Sequence, residues 1–179
     1  EAIEYVGISF TDESYTTRGV DKAREMLMNI GDRPYGPEIM QAIGQTYQKI
    51  DEKDKAIYAF ENLLDMYPRY RKAPAMQKEI VDALYALGRD KEAYDARTKL
   101  YQTYGPKSEW YKDLEISDEK DRLTNIEAAY NISEQALRTN LLIDLQDAQE
   151  MDAEGTDGKP KYEDFAKLCE IYLDIFAAD

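Results

Sequence analysis

The stretch from Gly44 to Pro68 constrains the fold more than any other part of the chain. It places a glycine, a tyrosine, an alanine, a phenylalanine and a proline at fixed distances around a polar turn at 51–54. On both sides of that turn apolar residues recur every three or four positions, which is the spacing of one face of an α-helix. Pro68 cannot continue a helix interior, and Pro37 suits a helix start. The stretch therefore predicts a helical hairpin.

The same turn occurs three times along the chain. Ala23, Ala56 and Ala93 each follow a charged turn, and they recur at intervals of 33 and 37 residues. Gly19 and Gly88 begin the two outer turns. Such intervals are typical of repeats that cannot bury both faces alone and must stack on their neighbours. No segment has the pattern of a strand, so the sequence predicts an all-α fold.

The segment from Pro37 to Tyr70 resembles a tetratricopeptide repeat. In that family, Trp-x2-Leu-Gly-x2-Tyr is followed by Ala-x3-Phe and then by Pro. The positions that carry the resemblance are Met40 in place of Trp, Ile43 in place of Leu, then Gly44, Tyr47, Ala56, Phe60 and Pro68 unchanged, with Ala93 at the alanine position one repeat later. The resemblance implies hairpins stacked as a right-handed α-solenoid, the superhelix of this family.

The resemblance divides the chain at about residue 105. Residues 1–105 are expected to hold three repeats, at about 2–34, 37–70 and 71–105. The outer two depart from the family pattern, and in the third Val81, Leu84 and Arg97 occupy the glycine, tyrosine and phenylalanine positions. Gly105-Pro106 ends this part of the chain.

Residues 106–179 are predicted to form a helical region of a different kind. A short helix is expected after Ser108 as its N-cap, then a long helix at about 120–150, a loop at 151–160 and a helix at 161–177. The long helix is expected to bury one apolar stripe, formed by Leu123, Ile126, Tyr130, Ala136 or Leu137, Leu141, Leu145 and Ala148. This region is open to a second interpretation as an enlarged fourth repeat, in which Ala166 and Leu173 take the places of Ala56 and Leu63.

Proteins of the tetratricopeptide family are adaptors, and the first helix of each repeat lines a concave groove for an extended peptide or a partner's helix. Carried onto this chain, the groove positions are Glu38, Gln41, Gln45, Gln48 and Lys49, followed one repeat later by Ala75, Lys78, Asp82 and Tyr85. A merely solvated face is the alternative interpretation. Family members that clamp a chaperone's terminal carboxylate use Lys and Asn where Gln41 and Gln45 stand here, so that partner is disfavoured.

Charge and aromatic content narrow the class of partner. The formal net charge of −14 repels nucleic acid phosphates and anionic lipid surfaces. No apolar run approaches the ~20 residues that span a bilayer. Among 15 tyrosines, Tyr5, Tyr15, Tyr85 and Tyr111 are the candidates for recognition. Trp110 is predicted to cover the open end of the stack, with an interface anchor as the alternative. The expected partner is a protein or peptide.

Catalytic and metal chemistry have little basis in the sequence. The chain has no His, no Gly-rich phosphate loop and no nucleophile motif. From Asp144 to Asp157 the chain has six acidic residues before the next cation, Lys159: Asp144, Asp147, Glu150, Asp152, Glu154 and Asp157. They lack the residue order of a calcium-binding loop and are interpreted as a solvated or partner-facing strip. Cys169 is expected to be a small buried apolar residue. We therefore expect no enzyme activity, no metal and no cofactor.

These observations predict a scaffold that binds a partner protein in the groove of a tetratricopeptide-like superhelix. The alternative is a structural spacer or self-assembly segment within a longer repeat protein. The segments E-Y-V-G-I-S-F and I-G-D-R-P-Y have a further likeness to long bacterial cell-envelope repeat proteins, which favours the periplasm or cell envelope over the cytoplasm. The absence of an initiating Met leads us to expect a piece of a longer chain. The oligomeric state is left open.

Overall fold

The computed structural model describes residues 2–12, 18–31, 33–115 and 119–176. In these ranges every regular element is a helix, and no strand is present. The helices of the described chain are α1 (Ala2–Phe10), α2 (Gly19–Ile30), α3 (Gly36–Lys49), α4 (Lys53–Met66), α5 (Ala73–Ala86), α6 (Asp90–Tyr104), α7 (Glu109–Glu115), α8 (Glu119–Ala153) and α9 (Lys159–Phe176). The predicted all-α class is confirmed.

The chain divides into two compact units, Glu1–Ala93 and Tyr94–Asp179, which we call unit 1 and unit 2. The division falls inside α6, whereas the sequence suggested a boundary near residue 105. In unit 1, α3 packs against α1 and α4, and α4 packs in turn against α5. The shorter helix α2 contacts α1, α3 and α4. Each of the helices α1 to α5 is thus packed against at least one other helix of unit 1.

The hairpin of α3 and α4 forms the core of unit 1. The side chains buried there, each at most 2% exposed, include Met40, Ile43, Tyr47, Ala56, Phe60 and Leu63. Gly44 makes this packing possible, because a Cβ atom built at that position would lie 2.4 Å from the ring of Phe60. Any larger residue would push the ring out of its place, so the glycine and the phenylalanine depend on each other.

The ends of these helices follow from local chemistry. Asp51 turns the chain from α3 to α4 with a φ of 63°, a left-handed conformation that Asp tolerates better than most residues. Pro37 lies in the first turn of α3, where a missing backbone N–H costs little. Pro68 is exposed just after α4. The helix start and stop predicted from the two prolines are therefore present.

Unit 2 begins with the second part of α6 and continues through α7 to α9. Ser108 caps α7, because the backbone N–H of Tyr111 donates to Ser108 Oγ at 3.1 Å. Helix α8 spans 35 residues, longer than predicted, and leaves only 154–158 as the connection to α9. Pro160 belongs to the first turn of α9 and not to the loop, since proline is tolerated at that position.

The buried stripe of α8 differs from the prediction. The buried residues are Ala129, Ser133, Ala136, Leu137, Asn140, Asp144 and Ala148. The predicted Leu123 is 64% exposed, and the predicted Tyr130, Leu141 and Leu145 are only partly buried. The prediction ranked large apolar residues above small and polar ones, but α6 approaches α8 through residues that can hydrogen-bond. The stripe is therefore shifted around the helix.

Helix α9 packs against α8, and none of its residues is fully buried. The two helices are joined by polar contacts along their length. Tyr172 Oη donates to Glu134 Oε1 at 2.8 Å, and Lys161 Nζ lies 3.2 Å from Asp147 Oδ2. Cys169 is partly exposed, which corrects the expectation of a buried residue.

Candidate partner-binding surface

Helical spacing separates the predicted groove positions of α3 from its core. Glu38, Gln41, Gln45, Gln48 and Lys49 are all exposed or partly exposed, whereas Met40, Ile43 and Tyr47 are buried. Residues at i, i+3, i+4 and i+7 share a helix face, so the polar set lies together opposite the contact with α4. The structure therefore places these five side chains on one side of the hairpin. They are not equally available, however.

Gln41 is part of the structure of unit 1. Tyr70 Oη donates to Gln41 Oε1 at 2.7 Å, and Tyr70 is only 8% exposed. Burial, together with the nearby carboxylate of Glu38, raises the pKa of Tyr70 to about 12. The tyrosine therefore stays protonated and donates this bond at any physiological pH. Gln41 holds the segment that precedes α5 against α3. Substituting it would therefore disturb folding as well as the binding of any partner.

Gln48 has a similar structural contact. Its Nε2 donates to Glu79 Oε2 at 2.7 Å, which ties α3 to α5. Glu79 was not among the predicted groove residues. The signal that was missed is a polar residue on α5 that can reach α3. The bond fixes the spacing of α3 and α5 along this surface.

The remaining polar positions are open to solvent. Gln45 and Lys49 are exposed on α3, and Asp82 and Tyr85 are exposed on α5, where Tyr85 is 68% exposed. Lys78 Nζ lies 2.5 Å from Asp82 Oδ2 within α5, and Ala75 is partly buried. We call Gln45, Lys49, Asp82 and Tyr85 the open groove set. It combines an amide, both signs of charge and an aromatic ring.

Glu38 differs from the open groove set. Its Oε2 atom is buried and has no hydrogen-bond partner among the described residues. Leaving a carboxylate oxygen without a donor costs free energy. The residue lies in the first turn of α3, where the positive end of the helix dipole compensates part of that cost. Its placement is therefore favoured by the helix itself.

Helix α1 packs against α3 and exposes two large apolar side chains. Gly7 is buried against α3, and a Cβ atom built there would lie 2.9 Å from the Cβ of Ala42. The close approach leaves Tyr5 and Ile8 on the outer side of α1, where they are 73% and 53% exposed. Two aromatic candidates, Tyr5 and Tyr85, are thus available in unit 1.

The remaining aromatic candidates are Tyr15, Tyr111 and Trp110. Tyr15 lies outside the described residues. Tyr111 is buried at 7% exposure and cannot serve recognition. Trp110 is also buried, and its ring packs edge-on against Tyr104 with centroids 5.2 Å apart. It is a core residue between α6 and α7, so the interface-anchor alternative does not hold.

Unit 2 contains a buried polar cluster that the sequence did not reveal. Arg97 Nε donates to Asn140 Oδ1 at 2.7 Å, and Asn140 Nδ2 donates to Thr98 Oγ1 at 3.1 Å. Tyr94 Oη donates to Asp144 Oδ2 at 2.9 Å. Burial and this carboxylate raise the pKa of Tyr94. Through this cluster the guanidinium of Arg97 reaches α8.

The acidic strip is therefore only partly solvated. Asp144 is 3% exposed, and Asp152 Oδ1 accepts the backbone N–H of Gly158 at 3.0 Å. Glu150, Glu154 and Asp157 are exposed. Within the described ranges, no group of three or more carboxylates or cysteines could hold a metal ion. None of the described helices is long and apolar enough to cross a membrane.

Comparison with known proteins finds no family model that matches the chain, no similar curated protein and no similar solved structure.

Proposed function

We propose that the protein is a non-enzymatic scaffold that binds a peptide or partner protein along the concave side of tetratricopeptide-like hairpins. The observation that carries the proposal is the open groove set. Gln45, Lys49, Asp82 and Tyr85 are exposed on α3 and α5, helices that the Gln48–Glu79 bond holds at a fixed spacing. A pre-organised surface loses less conformational entropy on binding.

The chemistry of this surface favours protein recognition. A large exposed tyrosine offers apolar contact area with little loss of side-chain freedom, and aromatic residues dominate binding energy at interfaces. Mixed charges add specificity more than affinity. The order of packing in unit 1 supports stacked repeats, because α4 lies between the first helix of its own hairpin and the first helix of the next.

The proposal is tested by affinity capture from the native host with the intact chain, followed by mass spectrometry. The test variant is Q45A/K49E/Y85A, which avoids Gln41 and Gln48 because both hold unit 1 together. The matched control carries the same three kinds of change on exposed residues elsewhere, as Q102A/K99E/Y162A. We expect the groove variant to lose the captured proteins while its thermal unfolding is unchanged. Equal capture by the groove variant and the parent would overturn the proposal.

A second candidate function is a structural spacer or self-assembly segment of a longer repeat protein. Helix α9 favours it, because Ala166 and Leu173 follow the register of Ala56 and Leu63 but are exposed. An apolar strip in this register is where a following hairpin would pack. Analysis of a longer form of the chain decides it. Protection of the α9 amides from exchange, gained only when further hairpins follow, would favour the spacer.

A further inference from the structure

We draw no further inference here: the strongest candidate, the apolar surface patch that Tyr5 and Ile8 form on the outer side of α1, carries no proposal because nothing in the structure shows what covers it.

Discussion

The hairpin of α3 and α4 and the hairpin of α8 and α9 are built differently, although Ala166 and Leu173 on α9 have the same spacing as Ala56 and Leu63 on α4. Ala56 and Leu63 on α4 are completely buried, whereas Leu173 on α9 is 60% exposed and Ala166 is exposed as well. Helix α4 has neighbours in α2, α3 and α5, while α9 has its main contact with α8. The comparison teaches that equal spacing along a helix does not fix the burial of a residue, which depends on the helices packed around it.

The largest expected effect comes from the matched leucines. L63A should lower the free energy of unfolding by about 2–5 kcal/mol, because it leaves a cavity in a closed core. L173A should change it by less than about 0.5 kcal/mol, because that side chain is largely in water already. Urea unfolding followed by circular dichroism measures both. Similar losses for the two variants would show that the α9 strip is covered in solution.

The second prediction concerns what holds the long helix of unit 2. N140A removes the acceptor of Arg97 Nε and a donor to Thr98 in a buried setting, so we expect a loss of about 1–3 kcal/mol. N131A, on the exposed side of α8, is the control and should be neutral. Hydrogen exchange of unit 2 peptides gives the readout. Unchanged exchange in N140A would mean that apolar contacts alone position α8.

The smallest expected effects come from removing two tyrosine hydroxyls, which should change the free energy of unfolding in opposite directions. The hydroxyl of Tyr47 is buried and has no hydrogen-bond partner among the described residues, so Y47F should stabilise the chain by about 1 kcal/mol. Tyr172 donates to Glu134 between α8 and α9, so Y172F should destabilise it by about 1 kcal/mol. Thermal unfolding at a fixed pH compares them. If the melting temperatures of both variants shift in the same direction, this difference between the α3–α4 hairpin and the α8–α9 hairpin does not hold.

The hairpin of α3 and α4 could be predicted well because it depends on local rules. Proline positions and the period of the apolar residues fix where α3 starts and where α4 stops. In unit 2 the same rules failed at Pro160, which begins a helix, and at Leu123, which is exposed. Periodicity ranks residues by hydrophobicity, but Asn140 is buried because its side chain hydrogen-bonds to Arg97 and Thr98 of α6. Ser133 is buried as well, although its hydroxyl has no hydrogen-bond partner among the described residues.

The candidate surface was predicted as a set of positions, and the availability of each position was not. Gln41 and Gln48 fit the groove pattern as well as Gln45 does, yet each is bonded to a residue about thirty positions away. Tyr111 and Tyr85 were both candidates for recognition, but the first is buried and the second is exposed. Long-range partners of this kind leave no periodic signal.

The sequence by itself determined the helical class, the hairpin turns and the residues that face the core of unit 1, because sterics at Gly44, Asp51 and Pro37 act over a few residues. Only the tertiary structure decided which polar side chains form hydrogen bonds within unit 1 and which remain exposed to solvent. Such outcomes depend on which segments meet in space, and chain spacing alone does not specify that.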